Sequence, residues 1–152
     1  MKKNARISAF VQQLGTDPTL ALDPRYQGYF SCFNAQQYYE AHDVLEDLWL
    51  GERDENFLFF KGLIQVAGAF VHLQKQFQHP EHPKHRPRMR PAVRLFEIAM
   101  RNLAPYGPQH LHLDVAALLR MCEHYVGEIV ASGFERNPWQ PDNAPQLHLL
   151  QA

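Results

Sequence analysis

The chain has little of what marks a specialised class. Only two of its 152 residues are cysteine. Cys32 and Cys122 lie far apart in no metal or redox spacing, so they are expected as buried thiols in a reducing compartment. Neither sign of charge dominates: 15 Lys and Arg stand against 16 Asp and Glu, a net charge of -1, which argues against a general nucleic-acid binder. No apolar run follows Met1-Lys2-Lys3, so no signal peptide is expected and the predicted compartment is the cytoplasm. The longest apolar stretch, FLFFKGLIQVAGAFVHL over 57–73, is broken by Lys61, Gln65 and His72. It is short for a membrane span and reads as a buried core helix. Internal repeats and strand-like alternation are missing too.

What is present is helical spacing of apolar residues. A short helix is predicted over about 4–14, ending at Gly15, and TDPTLALDPRYQG over 16–28 reads as a turn-rich connector. A second helix is expected after Asn34 as N-cap, stopping near Gly51, and a third from about Glu55 to Gln78. QHPEHPKHRPRMRP, 78–91, has four prolines and reads as an extended loop. Pro91 then opens a fourth helix to 103, and Leu113-Asp114 a fifth that ends near Ser132. The tail, 133–152, is rich in proline and expected to wrap the surface with Trp139 as anchor. The fold class implied is all-α: one domain over 1–152, an antiparallel bundle of about four to five helices.

The segment YYEAHDVLEDLW, 38–49, raises the functional question. At about 100° per residue, Tyr38, Tyr39, His42, Leu45, Glu46 and Trp49 share a broad face, and Glu40, Asp43 and Asp47 fall opposite as a solvated face. A carboxylate inside an aromatic stripe requires a partner, and His42 is one turn away from Glu46. On the third helix, Gln65 and His72 share a strip with Gly62 and Ala69, small residues that admit a neighbouring helix. If that neighbour is the second helix, His42, Glu46, Gln65 and His72 converge under Trp49.

FNAQQYYEAHDVLEDLW followed by FFKGLIQVAGAFVHL resembles the DUF309 family, a small all-helical domain of unknown function. The resemblance is strongest over about 30–105. It implies that His42, Glu46 and Trp49 are the family's H-x-x-x-E-x-x-W signature. Family members commonly carry Glu where this chain has Asp43, and the HPEHPKHRPRMRP connection is longer than usual.

Two function classes follow. In the first, the His-Glu-Trp cluster is a buried network that fixes helix register in a structural or interaction module. In the second, the chain is a small enzyme or ligand-binding protein with a pocket at Tyr39, Trp49 and Gln65. There His42, Glu46 and His72 act as acid and base or as weak metal-ligand candidates. Neither the Glu-x-x-His pairs of di-iron bundles nor H-E-x-x-H is present, so no tightly bound metal and no cofactor is expected. His79, His82 and His85 recur at every third residue in the Pro-rich loop. Lys84, Arg86, Arg88, Arg90 and Arg94 form a basic cluster, with Asp43, Asp47, Glu52, Asp54 and Glu55 as its acidic counterpart. That pairing predicts a homodimer; nucleic acid and membrane are not expected as partners, and the sequence does not identify a small-molecule ligand.

Overall fold

The computed structural model describes residues 3–14, 16–51, 53–81 and 87–151. Six α-helices run through them: α1 (Lys3–Leu14), α2 (Pro24–Asn34), α3 (Tyr38–Gly51), α4 (Phe57–Gln78), α5 (Met89–Leu103) and α6 (Val115–Ala131). Two-residue strands β1 (Gln109–His110) and β2 (Leu113–Asp114) form a small antiparallel hairpin before α6. The all-α bundle is as expected, with one helix more than the sequence suggested.

That extra helix is α2, which lies partly within the expected connector. Asp23 is its N-cap, accepting from the Arg25 amide at 2.8 Å, and Pro24 takes the first helical position, where a missing N–H does no harm. Asn34, expected to start a helix, instead ends α2, and its side chain faces the tail. Its Nδ2 donates to the Leu147 carbonyl at 2.9 Å and its Oδ1 accepts from the Leu147 amide at 2.7 Å.

α4 is the core helix, with α3 on one side and α5 on another; α2 packs on α3, and α6 on α5. It is long and apolar enough to cross a membrane, but ten of its residues, from Phe59 to Leu73, are buried in this bundle. Phe70 shows what holds the helices together. Its ring meets Phe33 of α2 and Tyr38 of α3 at 5.2 Å, Phe96 of α5 at 5.3 Å and Tyr125 of α6 at 5.1 Å, mostly edge to face. The close approach at Gly62 belongs to α5 rather than α3. A Cβ there would sit 2.6 Å from Leu103 Cγ, so only glycine lets the two helices pack this tightly.

Met89, Arg90 and Pro91, expected in the loop or at the helix start, form the first turn of α5. Pro91 needs no carbonyl partner that early. His82, Lys84, His85 and Arg86 lie outside the described residues. From about 135 the tail is irregular apart from a 3-10 turn at Pro141–Asn143, and it is strapped down by Trp139, which is 1% exposed and donates from Nε1 to the Tyr38 hydroxyl at 3.0 Å.

Candidate functional site

The buried side of α3 is not the one expected. Tyr38, Ala41, Val44, Leu45 and Leu48 are buried, whereas Tyr39 is 61% exposed. The His42 and Glu46 side chains are 31% and 29% exposed. The reason is the covering. α1 and α2 both pack on α3, and Val44 joins Ile7 and Val11 of α1 in a small apolar cluster. The covered arc is therefore rotated toward Ala41 and Leu48, and the line His42–Glu46–Trp49 runs along its edge.

At that edge His42 is held by its own helix. Its Nδ1 lies 3.2 Å from Asp43 Oδ1 and its Nε2 3.7 Å from Glu46 Oε2, while the Tyr39 ring stacks on the imidazole at 6.3 Å. Glu46 is thus a half-buried carboxylate, and the expectation of a sealed Glu46–His42 pair is corrected. Asp43 and Asp47 also depart from the solvated face predicted for them. Asp43 engages His42, and Asp47 Oδ2 accepts from Arg25 Nη1 at 2.8 Å. Arg25 also grips Asp23, so one guanidinium, kept firmly charged by both carboxylates, ties the start of α2 to α3. Nothing in the local spacing announces this pair, because it depends on a helix hidden in the connector.

Trp49 packs against Phe57 with ring centroids 5.1 Å apart, and Arg53 covers the same phenylalanine at 5.2 Å. The indole Nε1 is buried and meets no hydrogen-bond acceptor among the described residues.

The remaining candidates turn elsewhere. Gln65 Oε1 accepts from Asn102 Nδ2 of α5 at 2.8 Å. His72 Nδ1 lies 3.1 Å from Arg88 Nη1, just ahead of α5. Because a guanidinium only donates, this contact requires a neutral imidazole with a bare Nδ1. Burial chiefly, then the charges of Arg88 and Lys75, push the His72 pKa down, in keeping with that state. The expected convergence of His42, Glu46, Gln65 and His72 is therefore not formed: two of them serve the edge of α3, and two dock α5. Among the described residues, no three His, Cys, Asp or Glu side chains are grouped to hold a metal.

Cavities open at other places. One of about 460 Å³ lies among Gln76, Met89, Arg90 and Phe134, and one of about 350 Å³ beside Leu118, Met121 and Leu147. A smaller one, about 160 Å³ between α1 and α3, reaches Glu40 and Asp43. None of the three is lined by His42, Glu46, Gln65 or His72.

The family model for DUF309, a domain of unknown function, matches residues 26–79. The resemblance to DUF309 is confirmed. The matched DUF309 segment runs from the first turn of α2 to the end of α4, so it contains His42, Glu46, Trp49, Gln65 and His72 and stops short of α5. Within it α2 and α4 cover α3. The DUF309 match supplies no reaction, and no curated protein and no solved structure matches the chain.

Proposed function

We propose that this chain is a non-catalytic helical interaction domain in which His42, Glu46 and Trp49 are architectural. They finish the seam between the covered arc of α3 and its outer flank. One observation carries the reading: the candidate site residues are engaged by separate protein neighbours instead of facing one shared cavity. His42 meets Asp43 and Glu46, Gln65 meets Asn102, and His72 meets Arg88. A working pocket needs polar groups that converge on empty space. The outer flank has one feature that recognition surfaces use, an exposed aromatic ring, Tyr39.

Amide and side-chain NMR shifts, followed while divalent metals and a library of small polar molecules are added, test the reading. No saturable shift is expected at Tyr39, His42 or Glu46. A saturable response there that His42→Ala abolishes would overturn it. The alternative, an acid/base or ligand site on His42, Glu46 and His72, is favoured by one feature, the carboxylates beside both ring nitrogens of His42.

We further propose a cytoplasmic location, supported by the two buried free thiols Cys32 and Cys122. A fluorescent fusion found outside the cytoplasm would contradict it.

A further inference from the structure

α5 divides more sharply than any other helix into an apolar and a charged face. Arg90, Arg94, Glu97 and Arg101 follow one another at steps of four, three and four residues, and all are exposed. Arg90 rests on the Phe134 ring at 4.0 Å. Arg94 and Arg101 have no ion-pair partner among the described residues. Arg101 gains from the carbonyl end of its helix, whereas Arg94, in mid-helix, has no such compensation.

α3 presents the complementary surface. Its outer flank carries Glu40, exposed and without an ion-pair partner among the described residues, and the half-exposed Asp43. Tyr39 and Leu50, 61% and 57% exposed, are two of the five large apolar side chains left in solvent among the described residues. α3 and α5 both pack on α4 and hardly touch each other, so the two flanks of one molecule do not meet.

We propose that these flanks are the two halves of an interface between two copies of this chain. Arg94 and Arg101 of one copy dock on Glu40, Asp43 and Tyr39 of the other, and a twofold axis repeats the contact. A guanidinium suits this surface because it can chelate a carboxylate and stack on a phenol ring in the same pose. Exposed ion pairs contribute little individually, so Tyr39 and Leu50 supply the apolar contact and the dimer is a weak one.

The proposal rests on reading the domain as an interaction module, and the test separates the two. In light scattering at low salt and tens of micromolar, the wild-type chain is expected to have the mass of two chains. Arg94→Glu with Arg101→Glu should raise the dimer dissociation constant at least about tenfold, and Glu40→Arg with Asp43→Arg should do the same, because each places like charges opposite. Circular dichroism checks that both variants fold. Mixed one to one, they are expected to form a heterodimer, since the reversed α5 then faces the reversed α3 and the other contact is wild type. A monomeric wild type, or a dimer that neither variant weakens, overturns the pairing. So does a mixture that stays monomeric. Each of these leaves the non-catalytic reading standing, which only saturable binding at His42 overturns.

Discussion

Replacing Trp139 with alanine tests whether the tail is part of the fold or only lies on it. The indole is 1% exposed, its Nε1 donates to the Tyr38 hydroxyl, and its ring meets Tyr38 at 6.0 Å and Phe77 at 5.5 Å, both edge to face. A tryptophan buries roughly 150–250 Å², which at about 25 cal/mol per Å² is about 4–6 kcal/mol of transfer free energy. Measured Trp→Ala losses in cores, about 3–5 kcal/mol, agree with that scale. The loss here has a ceiling, because the tail can detach before the bundle unfolds. Once the indole is gone, the free energy lost cannot exceed what docking of the whole strap contributes. Asn34 reports on the ceiling, since both of its amide atoms bond to Leu147 in the same strap. Asn34→Ala alone should destabilise by about 1–2 kcal/mol. In the Trp139→Ala background it should add much less, because the strap is already free. Urea unfolding with all four proteins measures this directly. A Trp139→Ala loss below about 1 kcal/mol would refute the structural role of the strap. Full additivity with Asn34→Ala would show that the tail does not detach as a unit.

Three further outcomes are expected. The folded protein holds His72 below its ordinary value near 6.5, so the unfolded chain binds more protons between that lowered value and about 6.5. Stability therefore rises with pH through this window and levels off above it; in His72→Gln the urea midpoints across the window should lose a clear part of that slope, and an unchanged slope rejects His72 as a source of it. Glu46→Gln should shift stability by less than about 1 kcal/mol, as befits a half-exposed pair at 3.7 Å, and a loss several times larger would mean that the side chain is sealed in solution. Gly62→Val should destabilise by about 1–3 kcal/mol through the clash with Leu103, and combining it with Leu103→Ala should give less than the sum of the two losses; strict additivity would mean that α4 and α5 do not meet there.

The misreadings of the sequence share one physical origin. Asp23-Pro24 looks like a turn, but Asp followed by Pro is also an N-cap followed by a first helical residue, and Tyr26, Tyr29, Phe30 and Phe33 continue it at helical spacing. α4 and α6 were legible because long apolar periodicity leaves no second reading. Trp139 was legible as an anchor because an indole in a polar, Pro-rich tail has few other uses. The candidate site was legible only as far as its helix. Periodicity fixes the angle between two side chains on α3 but not which arc is covered, and that depends on neighbours. Taking α4 alone as the cover makes His42 and Glu46 the inside of the bundle. With α1 and α2 in place, Ala41, Val44 and Leu48 become part of it, and the histidine and the glutamate move to the rim. Arg25 follows the same logic: on a connector it is a solvated cation, and on the first turn of α2 it is the group that ties Asp23 to Asp47. Gln65 and His72 were placed correctly on one strip of α4, yet the strip is shared with α5, because Gly62 admits Leu103 and carries Asn102 and Arg88 into range. A helix that helps settle which side of α3 is buried is thus one that the Asp-Pro steps at 17–18 and 23–24, before and at its start, disguise as a turn.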